Sequence, residues 1–243
     1  MIQETKLKLL EKEKKYSEED HRTWSILFAR QMAMIKGKVC DEFIDGMERL
    51  KLDSKRIPLL EQTSQKLQKL GAWKLVKAEQ EYLTDRQWGD HFANREFPVT
   101  DYIRKPEELD FTPLPDIAHD YFGHLAFLTI LHYMEIMELF SEAYSLTPAE
   151  RLSETAQLWW NTMEFGLIKQ DGKIRLLGAG LVSSEKECVH SQDPKRQIPF
   201  ALEEAKRRPK AKYEVHDSYF VVESWNQLTD AIKEHIRDLR GMA

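Results

Sequence analysis

His119 and His124, five residues apart, share the otherwise apolar run Pro115-Asp116-Ile117-Ala118-His119-Asp120-Tyr121-Phe122-Gly123-His124 with two carboxylates. A further acid, Glu164, follows forty residues after His124 in the aromatic-rich stretch Trp159-Trp160-Asn161-Thr162-Met163-Glu164-Phe165-Gly166-Leu167. Two imidazoles and one carboxylate are a ligand set for non-haem Fe(II) that leaves coordination positions open. The same donors also make a catalytic zinc site, so their chemistry alone leaves iron and zinc both open. The pattern is not the HExxH of zinc proteases, since no Glu follows either histidine. A lone histidine on an apolar face is usually a hydrogen-bonded core residue. Several ionisable groups together in an apolar run are different, because each is costly to bury unless it is paired or binds a metal. The spacing is awkward. On an α-helix, positions five apart diverge by about 140°. The rings meet at one ion only if the side chains reach round it or the helix is locally distorted, and Gly123 is a candidate for that distortion.

The elements that must carry these groups read as mostly helical. Ser17-Glu18-Glu19-Asp20 has the pattern of a capping box with Asp20 as a short variant, ahead of Trp24, Leu27, Phe28, Met32 and Ile35 at helical spacing. A second helix is expected over Asp41–Leu50, with Phe43, Ile44, Met47 and Leu50 inward. Pro58 suits the first turn of a third, running through Leu59, Leu60, Leu67 and Leu70 to a stop at Gly71. Thr84 caps a fourth through Trp88, His91 and Phe92. Residues 97–104 read as extended chain and 105–114 as a charged loop. The histidine-bearing helix is expected to start after Pro115 and to continue, apolar nearly all round, as a buried central helix to Phe140. Another runs from Thr147-Pro148 to Gly166. After it the texture changes. Residues 173–182 read as a strand or hairpin segment, 213–216 and 219–222 as two more β-like pieces, and Gln227–Leu239 as a final helix. The expectation is one mostly α domain over residues 1–243 with a small β component in the C-terminal third. Residues 1–15, rich in Lys and Glu, are expected to be a solvated or flexible segment.

The bulk properties exclude several classes. The 243 residues carry a formal charge of −5, which argues against nucleic acid as the main partner. Cys40 and Cys188 are the only cysteines, too few for a disulfide framework or a Cys-rich zinc site, and they fit a reducing, cytoplasmic setting. No apolar run reaches the length of a membrane span, and residues 1–15 lack the apolar region of a secretory signal.

Four linked blocks resemble one family. Asp101-Tyr102-Ile103-Arg104, Thr112-Pro113-Leu114-Pro115-Asp116-Ile117-Ala118-His119-Asp120-Tyr121-Phe122-Gly123-His124, Met163-Glu164-Phe165-Gly166-Leu167-Ile168-Lys169-Gln170 and Gly178-Ala179-Gly180-Leu181-Val182-Ser183-Ser184 are similar, in order and spacing, to the pterin-dependent aromatic amino acid hydroxylases. The likeness is to bacterial and chlamydial phenylalanine hydroxylases and covers residue 16 to the end. It implies the catalytic-domain fold of that family, without its regulatory and tetramerisation regions, and hence a monomer or dimer. It implies Fe(II) held by His119, His124 and Glu164, with a tetrahydropterin and O2 as cosubstrates and an aromatic amino acid, most simply phenylalanine, as substrate.

Residue by residue, the resemblance gives Arg104 the substrate α-carboxylate, a task its planar fork suits. Asp116 holds Arg104, and Ser183 fixes the ring of the first histidine ligand. Thr112, Trp160 and Gly180 line the amino acid pocket, although plain packing also accounts for Trp160 and Gly180. Val215 falls where members differ in substrate preference, and an apolar residue there is closer to phenylalanine than to tyrosine hydroxylases. Trp88 stands where the family has a phenylalanine stacked on the pterin, and Asp120 is the acid beside that pterin. Trp159 replaces a tyrosine near the iron, Leu114 an acidic residue, and Leu125-Ala126 a Val-Pro. These departures keep alive a tryptophan hydroxylase, a hydroxylase of broad or secondary-metabolic specificity, or, outside enzymes, a catalytically idle metal-binding protein. His91 and His190 have no assigned role and read as surface or packing residues.

Overall fold

The computed structural model describes residues 16–71, 73–80, 82–110, 112, 114–211 and 214–241. The expectation for residues 1–15 lies outside them. Helix α1 (Glu18–Ile35) opens on the expected capping box: Ser17 Oγ accepts from Asp20 N and the Asp20 carboxylate accepts from Ser17 N. Helix α2 (Asp41–Leu50) and helix α3 (Leu60–Lys69) follow, with Gly71 at φ +86° ending α3. Ile44 and Leu70, expected inward, are exposed at the edges of their stripes.

Strand β1 (Lys74–Lys77) and strand β2 (Glu96–Val99) form a small parallel sheet in the N-terminal half, with Leu75 opposite Phe97 and Val76 opposite Pro98. It adds to the sheet expected near the C-terminus. Between them lies helix α4 (Asp85–Ala93), which carries Trp88. Its cap is reciprocal: Thr84 Oγ1 accepts from Gln87 N at 3.3 Å, and Gln87 Oε1 accepts from Thr84 N at 3.0 Å. Thr84→Ala removes one half of this box. It should cost about 1 kcal/mol, read as a lower urea midpoint at unchanged m.

The single central helix expected from Pro115 to Phe140 is not continuous. A π-helical segment, His119–His124, gives way to a 3₁₀ turn, Phe127–Thr129, and a new helix, α5 (Leu131–Leu146), starts beyond it. Leu131, at 78% exposure, opens α5 in solvent. Apolar composition all round the segment reflects burial from several sides, not one axis. The core gathers here. Phe122 packs tilted and Phe127 edge to face against Phe43, and Phe92 and Phe140 pack edge to face against Trp159 in a second aromatic cluster.

Helix α6 (Leu152–Trp159) also ends in a π-helical segment, Trp160–Glu164. A four-stranded sheet follows in the order β4-β3-β6-β5. Strand β3 (Leu167–Gln170) and strand β4 (Lys173–Leu176) form a hairpin through Asp171-Gly172, both at positive φ. The β reading of 173–182 therefore holds only to Leu176. Ala179–Ser183 is a short helix, α7, followed by helix α8 (Glu185–His190), strand β5 (Gln197–Pro199) and helix α9 (Leu202–Ala205). Strand β6 (Tyr219–Val222) pairs in parallel with both β3 and β5, and helix α10 (Trp225–Arg240) closes the chain. Among the described residues of the other expected β piece, 214–216 are not strand. His216 turns inward to bond with Glu187, which takes its backbone N–H away from any ladder.

Candidate metal centre and substrate pocket

The π geometry resolves the awkward spacing of the histidines. Hydrogen bonds from i to i+5 bring residues five apart nearly one above the other, as an α-helix cannot. His119 and His124 open and close one such segment, with ring centroids 5.0 Å apart and planes at 89°. Glu164 ends the other, where Phe165 N bonds back to Trp160 O at 3.0 Å. Both Nε2 atoms face the Glu164 carboxylate: His124 at 3.2 Å from Oε1 and His119 at 3.7 Å from Oε2. One donor atom from each of the three lies within 4.8 Å of the others.

Gly123 acts differently from the expectation. A Cβ there would lie 2.9 Å from Ala179 O, so its lack of a side chain lets α7 close on the histidine segment. That approach delivers Ser183, whose Oγ lies 2.8 Å from His119 Nδ1. The Ser183 hydroxyl donates to Ala179 O at 2.8 Å, so it accepts from Nδ1–H and leaves the Nε2 lone pair facing Glu164. Burial pushes the His119 imidazole down to about 4, against the pull of Glu164. Burial also opposes the charge on Glu164, but the two imidazoles and the Trp159 N–H outweigh it and hold the carboxyl at about 2. At neutral pH this leaves a neutral imidazole and an ionised carboxylate, the forms that bind metal. The donor set, its tautomer and its protonation fit a divalent iron ion. Ser183→Ala should weaken iron binding about 10- to 100-fold in a chelator competition while leaving stoichiometry at saturation intact.

Arg104 and Asp116 form a buried fork-to-fork pair. Nε donates to Oδ2 at 2.8 Å and Nη2 to Oδ1 at 2.9 Å. Asp116 also accepts from the backbone N–H groups of Arg104 and His119, which ties the pair to the histidine segment. Burial opposes the Asp116 charge, but Arg104 outweighs it and keeps the carboxyl below its ordinary range. Among the described residues no hydrogen bond uses Arg104 Nη1, and Arg104 lines the same cavity as the three metal-type ligands.

That cavity holds about 560 Å³. It brings together every residue singled out from sequence except Asp116, which stands behind Arg104: Thr112, Trp160, Gly180, Ser183 and Val215 line it with Trp88 and Asp120. A Cβ on Gly180 would fall 2.5 Å from the Phe165 ring, which accounts for glycine there. Trp88 packs against Phe92, Phe97 and Trp159, with ring centroids 5.1–6.1 Å away. Asp120 accepts from Thr100 N at 2.6 Å and Thr100 Oγ1 at 2.8 Å. Burial still pushes its carboxyl up to about 7.

Three residues acquire places that sequence patterns did not assign. Trp159, noted only as a departure, donates its indole N–H to Glu164 Oε1 at 3.1 Å and so orients that carboxylate. Lys210 pairs with Asp85 at 2.5 Å and lies 5.7 Å above the Trp160 ring at the cavity wall. His216 accepts from Trp160 Nε1 at 3.0 Å. The first was signalled by its neighbour Glu164; the other two come from remote segments and carried no local signal. His91 lies away from the cavity between Glu79 and Glu96, whereas His190 reaches Tyr219.

A second cluster, Glu154, His235 and Asp238, also brings metal-type atoms together. There Arg151 bonds Glu154 and Asp238, and Lys206 lies within 3.8 Å of both. Arg151 and Lys206 already occupy these acids, Lys206 also pairing with Glu203 at 2.8 Å, so the cluster reads as an ion-pair network.

Residues 10–242 match the family model of the biopterin-dependent aromatic amino acid hydroxylases. The chain is 38% identical over 224 residues to a phenylalanine-4-hydroxylase of Chromobacterium violaceum, covering 89% of this chain and 74% of that protein. It is 34% identical over 226 residues to a phenylalanine-4-hydroxylase of Pseudomonas aeruginosa, covering 92% and 86%. Its fold superposes on the crystal structure of C. violaceum phenylalanine hydroxylase with bound iron(III) and oxidised 7,8-dihydrobiopterin. The TM-score is 0.84 at 35% identity, over 94% of this chain and 84% of that one. The phenylalanine hydroxylase of Legionella pneumophila superposes with a TM-score of 0.83 at 32% identity, over 94% and 93%.

Proposed function

The chain belongs to the biopterin-dependent aromatic amino acid hydroxylases, and on that premise we propose that it converts phenylalanine to tyrosine with Fe(II), a tetrahydropterin and O2. The observation that carries this reading is the convergence of His119, His124 and Glu164 in one cavity that Arg104 also lines.

His119, His124 and Glu164 would hold the iron, with the remaining coordination face open to the cavity. Bound there with a tetrahydropterin, Fe(II) supplies the activation of O2 that attack on an aromatic ring requires. The chain's own groups bind, orient and protect. Arg104 takes the α-carboxylate through the edge that Asp116 leaves over, and Asp116 keeps the guanidinium plane from rotating. Trp160, Val215, Thr112 and Gly180 form the wall that fixes the substrate ring. Trp88 and Asp120 serve the pterin, the indole as a stacking face and the carboxyl, with its raised pKa, as a hydrogen-bonding group. Ser183 holds His119 in the tautomer that leaves Nε2 unprotonated, and Trp159 holds Glu164. Pro98, Leu114 and Phe165 line the cavity with apolar surface that limits water.

None of the described helices is long and apolar enough to cross a membrane. The two cysteines, Cys40 and Cys188, are buried and unpaired, which supports a reducing compartment such as the cytoplasm. The test is a product assay on iron-loaded protein with a tetrahydropterin and phenylalanine, tyrosine and tryptophan side by side. Tyrosine from phenylalanine at the highest kcat/KM is expected. Faster turnover of tryptophan would move the substrate assignment, and pterin-dependent oxygen uptake with none of the three would overturn the reading.

A further inference from the structure

Behind the aromatic wall of the cavity runs a line of buried polar groups that neither the metal ligands nor Arg104 needs. Trp160 Nε1 lies 3.0 Å from His216 Nε2, and His216 Nδ1 lies 2.8 Å from Glu187 Oε1. Glu187 Oε1 also accepts from His216 N at 3.2 Å, and Glu187 Oε2 accepts from Tyr219 Oη. His190 Nδ1 is 3.1 Å from Tyr219 Oη. His216 is 4% exposed, Glu187 7% and Tyr219 1%.

The direction of each bond in this line follows from its two ends, the indole N–H that donates and the carboxylate that accepts. An indole N–H can only donate, so His216 Nε2 accepts and its Nδ1 carries the proton. That proton goes to Glu187. The Tyr219 hydrogen also goes to Glu187, so His190 donates to the tyrosine oxygen. His216 N–H, His216 Nδ1–H and the Tyr219 hydroxyl converge on the Glu187 carboxylate, so the line runs toward it from both ends and the tautomer of His216 is fixed from both sides. The line joins three separate parts of the chain: the π-helical segment that ends in Glu164, helix α8, and the turn leading into β6. The imidazole also packs on Phe165, with centroids 4.0 Å apart and planes tilted by 32°, and the Phe165 ring lies 4.8 Å from that of Trp160.

Trp160 has one face on the cavity and its N–H on this line. Phe165 and Lys210 hold the half-buried indole by its faces, and the bond from Nε1 to His216 fixes its orientation in its own plane. Burying a histidine, a glutamate and a tyrosine behind an aromatic wall is costly unless all are mutually bonded, and here they are. We infer that His216 and Glu187 are positioning residues for the amino acid substrate, acting through the Trp160 indole, an inference that rests on the substrate wall assigned above.

The test uses the iron-loaded enzyme and compares His216→Phe, which keeps the ring against Phe165 but removes the acceptor, with His216→Gln, which keeps an acceptor and a donor. His216→Phe should raise KM for phenylalanine about tenfold, the size of one lost buried hydrogen bond. Its kcat, KM for the pterin and iron content should change much less, and His216→Gln should recover most of the loss. Because His216 acts through the indole, adding His216→Phe to Trp160→Phe should raise KM no further. Additive effects in that pair, or a KM for phenylalanine unchanged in His216→Phe, would overturn the inference. A second readout is independent of turnover. With 15N-tryptophan labelling, the indole resonance that Trp160→Phe deletes should be slow to exchange with solvent, and His216→Phe should make it fast. Fast exchange in the unsubstituted protein would refute the hydrogen bond. If no amino acid is hydroxylated but this resonance behaves as expected, the functional reading fails while the Trp160 lock stands.

Discussion

Glu164→Ala should abolish iron binding and tyrosine formation together. The groups that merely orient metal ligands are worth 10- to 100-fold in affinity, so removing a ligand should cost more than about 100-fold. Iron content after desalting should fall from stoichiometric to undetectable, and turnover should fall to the rate of metal-stripped protein. Substitution also frees His124 and Trp159, which bond the carboxylate at 3.2 and 3.1 Å. Circular dichroism and the urea midpoint therefore have to accompany the metal analysis. His119→Ala should give the same loss of iron by a different route, since it leaves the Glu164–His124 contact intact. Full iron content in either variant would remove that residue from the centre.

Arg104 carries the second large effect, and it falls on one substrate only. The guanidinium is 9% exposed and Asp116 fully buried. Removing one partner of such a pair strands the other charge, so Arg104→Ala should lose about 3–5 kcal/mol of stability in addition to its kinetic defect. Arg104→Lys is the cleaner probe because it keeps the charge and loses the fork. It should raise KM for phenylalanine about 30- to 150-fold, or about 2–3 kcal/mol, while KM for the pterin stays within a small factor. A substrate analogue lacking the α-carboxylate should be used poorly by the natural enzyme and no worse by Arg104→Lys. An unchanged KM for phenylalanine would take Arg104 out of the substrate site.

What sequence patterns show here divides by range of interaction. The caps at Ser17 and Thr84 are local and were readable, because donor and acceptor lie three residues apart. The candidate ligands themselves were readable because ionisable groups in an apolar run demand an explanation. Their geometry was not: a single π-helical turn of six residues is too short to leave a period in the sequence, so His119 and His124 diverge on the α-helix that their apolar neighbours imply. Gly123 drew attention as a possible distortion, yet its constraint is set by Ala179, distant in sequence. Ala179–Ser183 reads as extended from sequence because a short apolar run with glycines fits a strand as well as a helix. Strand β1 is not legible in the sequence, because four residues with a parallel partner beyond a whole helix leave almost no local mark. His216 is the extreme case. It looked like one residue of a β piece, and its environment is built by Trp160 and Glu187 from two other parts of the chain.

The central claim is that His119, His124 and Glu164 hold iron. Anomalous scattering from crystals of the iron-loaded protein, collected on both sides of the iron absorption edge, tests it most directly. One peak is predicted within bonding distance of both Nε2 atoms and a Glu164 carboxylate oxygen. A peak elsewhere, for example among Glu154, His235 and Asp238, or none at the three ligands in protein shown to carry iron, would contradict it.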